Sequence, residues 1–534
     1  MTKLFTTTAL VAAMALPAHA AQPAEGEKLA EDQSLSFWIL DAIKSADPQL
    51  TSSRTDSDMI RQLFEGLMNE DETGAMIPGV AESHEVSEDG LTYTFHLRDA
   101  KWSNGDPVTA GDFVYAWQRA VNPETASEYA WFMELMNIVN ATEIVKGEKA
   151  PEELGVKAVD DRTLEVTLTK PTPYFLKTLS HSTTFPTPQK VIEEHGDSWT
   201  QAGKMVGNGA YVLKSHDLGV EAVLVKNDEY WDAENTIIDE VKFVTVNDQN
   251  IGLTRTLAGE IDWMNQLPAG QFPRLKEEHG DAVVAPPWAC SYAYIFNLSD
   301  KGPEALKDLR VRQALSYAID RDIIVDKILQ GGQEPAYFWT HWAIEGFESP
   351  EIEMAGWTQQ ERLEKAKALL AEAGYGPDNP LQLTIQYNTS EDHKKLAIAV
   401  QQFWKAIGVN VTLNNYEWKV HIDRLNNQDF EVARYAWCGD YNEATTFLDY
   451  FRTEGYNQGK WSNAEFDKLL ADSATSENPA ELYKQAEQIL IGDMALAPVY
   501  HYSQPQYIEP SLRGAPLENV MMSWYAKDMY RVAE

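Results

Sequence analysis

The stretch Phe430-Glu431-Val432-Ala433-Arg434-Tyr435-Ala436-Trp437-Cys438-Gly439-Asp440-Tyr441-Asn442-Glu443 decides how the chain is read. Its first six residues have strand character, a break follows at Gly439, and Phe447, Tyr450 and Phe451 beyond it have helical spacing. Side chains at the end of such a strand can point into a crevice. Arg434, Trp437, Cys438 and Asp440 crowd a cation, a large aromatic, a thiol and a carboxylate into one short segment. A buried carboxylate beside Trp437 and Cys438 is costly to desolvate alone, so it needs a cation, either internal or brought by a ligand. The α-ammonium of a peptide would serve. The other reading makes Asp440 an exposed turn residue or a helix cap, both sites that favour Asp.

Outward from this stretch, strands and helices alternate in the manner of α/β domains. Spacing predicts strands over 35–40, 91–97, 381–387, 409–413, 430–435 and 499–502. It predicts helices over 57–66, 110–121, 250–259, 308–318, 358–373 and 393–407. Residues 156–159 and 163–168 read as a hairpin joined by Asp160-Asp161-Arg162, strands alternate again between Tyr211 and Val246, and a strand starts at Glu260-Ile261-Asp262. A break is expected at Pro286-Pro287. A chain of 534 residues exceeds one hydrophobic core, so two or three domains are expected.

Residues 1–20 read as a secretory signal: Lys3 gives the positive start, Ala9 to Leu16 the apolar core, and Ala18-His19-Ala20 the cleavage site. No cysteine stands at that site, which points to a soluble exported chain rather than a lipid-anchored one. No later apolar run has the length of a membrane span. The chain carries 44 Lys+Arg against 82 Asp+Glu, a formal charge of −38, and loses one more positive charge with Lys3. Nucleic acid is therefore excluded as a partner. The acids are spread along the chain, as on a solvated surface suited to a salty medium; the alternative is capture of cationic ligands. Cys290 and Cys438 are the two cysteines, expected to bridge in an oxidising compartment, the alternative being two buried free thiols.

Several segments resemble one family. Phe64-Glu65-Gly66-Leu67, Pro78-Gly79-Val80-Ala81-Glu82-Ser83, Phe95-His96-Leu97-Arg98, Lys101-Trp102-Ser103-Asn104-Gly105 and Pro107-Val108-Thr109-Ala110 are similar to the N-terminal signature of the periplasmic oligopeptide-binding proteins of ABC importers. Asn208-Gly209-Ala210-Tyr211, Arg310-Val311-Arg312-Gln313-Ala314-Leu315, Tyr387-Asn388-Thr389-Ser390 with His393-Lys394-Lys395, and the opening stretch continue the match in order across the mature chain. The resemblance implies an α/β type II periplasmic-binding-protein flytrap, two lobes with a hinge plus a third domain. Domain I would take residues 21–64, 189–289 and 508–534, domain II 65–188, and domain III 290–507. Cys290 and Cys438 match the family's disulfide. Asp440 matches the carboxylate that receives the peptide's ammonium, Trp418 and Trp437 match pocket walls, Tyr129 and Arg434 match further ligand-contacting positions, and His393 and Ala436 complete the set. The two tryptophans could instead be lobe-core packing.

Departures cluster at the far end of the ligand. Leu329 stands where a lysine is expected, Leu425 (with Arg424 beside it) where an arginine is expected, and Ser52 and Ile295 replace glutamates. A binder of murein peptides or of another small solute is the alternative within the family. From other classes come a secreted peptidase and a chaperone. The chain has no pair of histidines on one helix turn flanking a glutamate, no Gly-x-Ser-x-Gly elbow, no phosphate-cradling glycine loop and no Cys-x-x-Cys. The sequence thus reads as a monomeric, non-enzymatic binder without cofactor or metal, partnered by an oligopeptide and a membrane permease.

Overall fold

The computed structural model describes residues 21–533 except 22, 52, 454 and 477, so the leader 1–20 and Ser52 lie outside the described residues. Three large sheets organise the chain. The first has seven strands in the order Val283–Val284, Gln506–Ile508, Trp263–Met264, Ser34–Ile39, Glu240–Thr245, Glu221–Lys226 and Tyr211–Asp217. Ser34–Ile39 runs parallel to Glu240–Thr245. Phe37 and Phe243 from these two strands meet Trp263 and Trp524 in one buried aromatic cluster.

The second sheet has the order Glu334–Pro335, Leu496–Ser503, Pro287–Phe296, Val432–Cys438, Leu381–Asn388 and Val409–Tyr416. Pro287–Phe296 is antiparallel to both neighbours, whereas Leu381–Asn388 is parallel to both of its own. The helix Glu391–Lys405 makes the crossover between the parallel pair and buries Leu396, Ala397, Val400 and Trp404, the apolar stripe that its sequence spacing sets. Pro287–Phe296 is a strand that sequence spacing does not announce. It is buried almost end to end, on both faces, so it lacks the period-two pattern of a half-exposed strand.

The proline break expected at 286–287 is the point where the chain passes between these sheets, Pro287 being the first residue of the strand, where proline is tolerated. A second crossing runs beside it: Gln504 N donates to Pro286 O at 2.9 Å, and Ser503 pairs with Pro287. Two adjacent crossings of this kind form a hinge.

The third sheet is four-stranded and antiparallel, two hairpins in the spatial order Ala81–Val86, Thr92–Leu97, Thr163–Thr167, Val156–Asp160. Helix Ala110–Val121 packs on it through Phe113, Ala116, Trp117 and Ala120, and a Thr109/Asp112 capping box starts it. Helix Arg54–Leu63 begins three residues earlier than spacing suggests because Ser53 caps it, and it ends at Leu63, where Phe64 becomes extended. Glu65 beyond it is buried and accepts hydrogen bonds from Asn69, Tyr230 and Trp231, so this acidic residue is spent on holding the fold.

Candidate functional site

Val432–Cys438 presents Arg434, Ala436 and Cys438 on one face and Tyr435 and Trp437 on the other, the alternation every strand imposes. In its pairing with Pro287–Phe296, Cys290 stands opposite Cys438 and Tyr294 opposite Arg434. The two cysteines form a disulfide. Just past it, Gly439 N donates to Ala289 O at 2.8 Å and Asp440 N to Thr446 Oγ1 at 3.0 Å, which holds Asp440 at the strand end.

Asp440 lines a cavity of 240 Å³ together with Arg54, Arg61, Glu70, Tyr129, His181 and Trp288. Its carboxylate accepts from the Tyr129 hydroxyl at 3.4 Å, a long bond, and among the described residues no cation lies within ion-pair distance of it. Burial pushes its carboxyl up to about 7, and the Tyr129 bond only partly offsets that. The Tyr129 ring stacks on His181 at 4.8 Å, and burial drives the His181 imidazole down to about 3, leaving it neutral.

Arg434 and His393 line a second cavity of 320 Å³, which Trp288 also walls and which takes in Leu329, Gln333, Tyr500 and Tyr502. Arg434 is 8% exposed, lies over the Tyr292 ring at 5.2 Å, and its Nε has no hydrogen-bond partner. No carboxylate among the described residues is within ion-pair distance of this guanidinium. Burial, then the Arg434 charge, hold His393 down at about 3, so beside Arg434 it is a neutral dipole rather than a second cation. The site thus has an unpaired anion at one end of a strand and an unpaired cation several residues back along it.

The remaining sequence-predicted residues are placed differently. Trp437 turns to the opposite face, 5.6 Å from the Tyr450 ring, and Ala436 packs against the core under the sheet. Trp418 opens the helix Trp418–Asn426, is 53% exposed, and stacks on His421; neither it, Trp437 nor Ala436 lines the two cavities described above. Among the departures, Leu329 lines the second cavity, whereas Leu425 and Ile295 are core residues. Arg424 is engaged by Asp429 at 2.6 Å and Gln386 at 3.0 Å and does not replace the expected arginine. Sequence reasoning missed Trp288, Arg54 and Arg61; the arginines sit seven apart on one face of a helix, where charge reads as solvated surface.

Among the described residues no group of three His, Cys, Asp or Glu is placed to hold a metal. Ser291 Oγ and His501 Nδ1 are 2.9 Å apart, but both are buried within the second sheet, where no substrate reaches the hydroxyl. The arrangement suits binding of a ligand with separated opposite charges rather than bond breaking.

Residues 75–459 match the family model of the bacterial extracellular solute-binding proteins, family 5 Middle. The chain is 43% identical to the periplasmic oligopeptide-binding protein OppA of Salmonella typhimurium, with 98% of this chain and 96% of the relative covered. It is 42% identical to the periplasmic murein peptide-binding protein MppA of Escherichia coli, covering 98% and 97%. Among solved structures, Haemophilus influenzae OppA in complex with RPPGFSPFR matches with a TM-score of 0.80 and 38% identity over 95% of this chain and 100% of that one. The Escherichia coli murein tripeptide binding protein MppA matches with a TM-score of 0.82 and 41% identity over 95% and 100%.

Proposed function

Because this chain belongs to the bacterial extracellular solute-binding proteins of family 5, we propose that it captures oligopeptides in the periplasm between two closing lobes. It then hands them to the permease of an ABC importer and performs no chemistry on them. The observation that carries the reading is the Asp440 carboxylate, which lines a cavity and, among the described residues, has no cation within ion-pair distance and only the Tyr129 side chain hydrogen-bonded to it. A part-buried carboxylate in that state recovers its desolvation cost when a ligand brings an ammonium. Arg434 is the complementary group for the ligand's carboxylate, with His393 as a neutral hydrogen-bonding neighbour.

Between Arg434 and Cys438 the strand rises roughly 13 Å, and an extended ligand advances about 3.3–3.6 Å per residue. Allowing for the reach of both side chains, peptides of about three to five residues fit the two charges together.

The lobes follow the sheets: domain I from 21–64, 189–289 and 508–534, domain II from 65–188, domain III from 290–507. The sheet memberships support this division except at the two crossings, where 287–289 belong to the second sheet and 506–507 to the first. A murein-peptide ligand is the second reading, supported by the likeness to MppA. Native mass spectrometry of the protein purified from periplasm tests both. Copurified linear peptides of three to five residues support the main reading, murein fragments the second, and a ligand without an amine overturns both.

A further inference from the structure

The cavity that Asp440 lines also carries two arginines, which among the described residues are short of acceptors. The Arg61 side chain is only 12% exposed, yet among the described residues it makes no hydrogen bond, and its Nε is buried without a partner. Its nearest acid, Asp58, stands 3.7 Å away. The same carboxylate is shared with Arg54 at 3.8 Å, and Asp58 Oδ1 itself has no donor. Charge-assisted pairs close to about 2.7–2.9 Å when they form properly. The other acid of the cavity, Glu70, is already taken by Ser180 Oγ at 2.6 Å and Asn519 Nδ2 at 2.8 Å. Among the described residues Arg54 donates once, to Met522 O at 2.7 Å, and lies over the Trp288 ring at 5.4 Å.

Two guanidiniums therefore share one distant aspartate, and of the up to ten N–H donors they carry together one is used in hydrogen bonds among the described residues. Such a fork matches a carboxylate, whose two oxygens accept in parallel. Around it, Thr51, Ser53, Ser57, Ser180 and Ser523 bring hydroxyls into the same cavity.

We propose that Arg54 and Arg61 form a carboxylate receptor in the Asp440 cavity, so that the favoured ligands carry an acid group within reach of their own ammonium. This rests on the reading of Asp440 as the amine anchor. Two sources supply that chemistry: an acidic side chain on the first residue of a peptide, or the terminal carboxylate of a very short peptide.

Calorimetric titration of the full-length mature protein with Ala-Ala-Ala, Glu-Ala-Ala, Gln-Ala-Ala, Ala-Ala and Ala-Ala-amide tests the proposal. Glu-Ala-Ala is expected to bind about tenfold or more tighter than Gln-Ala-Ala, or Ala-Ala than its amide, and whichever pair shows the gap identifies the source. In R61Q and R54Q that ratio should fall to about threefold or less. The ratio is read within each variant, so a general weakening does not imitate the result. Arg54 is exposed, and R54Q decides the matter should R61Q fail to fold. Equal binding within both pairs in the unaltered protein, or a gap that survives both substitutions, overturns the receptor while leaving the amine anchor intact. Failure of every peptide, Ala-Ala-Ala included, overturns the peptide reading and the receptor with it.

Discussion

Asp440 is costly to the empty protein and productive in the complex. Its folded-state carboxyl stands at about 7 against an ordinary 3.8, so ionisation opposes folding, and that penalty grows as pH rises from the ordinary value through 7. D440N should therefore make the ligand-free protein more stable at pH 8, by about 1 kcal/mol or more, while leaving it unchanged at pH 4; denaturant midpoints at the two pH values check this. The same raised value links binding to protons. An incoming ammonium requires the ionised form, so affinity for free-amine peptides should fall about tenfold per pH unit below 7, with a proton released on binding. Titrations in buffers of different ionisation heat measure that release directly. At this scale much was legible: Asp440 with Tyr129, and Arg434 with His393, do share cavities. Arg61 was not, because an arginine on a mostly polar helix face looks the same in sequence whether it faces water or a cavity.

The strand pair Pro287–Phe296 and Val432–Cys438 sets the site, and the Cys290–Cys438 bridge fastens it where Asp440 begins. The bridge closes a separation of 148 residues, for which loop entropy gives up to about 5 kcal/mol, strained or structured reference states lowering that figure. C290S/C438S should accordingly show a lower urea midpoint and weaker binding, since Gly439 and Asp440 hang from the bridged strand end. A midpoint equal to that of the unaltered protein would remove the bridge from the account. Helix Ala110–Val121 was readable to its ends because a polar cap and a clean apolar stripe coincide there. Pro287–Phe296 was not, since a strand buried on both faces shows no alternation, and its leading prolines disguise a sheet-to-sheet crossing as a break.

Across the whole molecule, contacts link the segment that follows the third sheet to the chain just past Asp440. Lys177 pairs with Glu345 at 2.9 Å and donates to Asn442 O at 2.7 Å, while Tyr174 stacks on Tyr441 at 4.9 Å. Contacts of this kind would favour a closed form, and ligand would shift the balance between open and closed as a population. K177M should weaken peptide binding about two- to tenfold without touching either charged anchor, and the ligand-free variant should scatter as a larger particle. Unchanged affinity would show that closure does not depend on this contact. The sequence foresaw lobes and a hinge only through family resemblance; contacts between residues far apart in the chain leave no local pattern to read.

The central claim, that Asp440 receives the ligand's ammonium, is tested most directly by titrating the protein and D440N with one tetrapeptide and its N-acetylated form. In the unaltered protein acetylation should cost about thirtyfold or more in affinity. In D440N the free and acetylated peptides should bind alike, both weakly. If D440N keeps the unaltered protein's preference for the free amine, the ammonium is held elsewhere and the anchor is wrong.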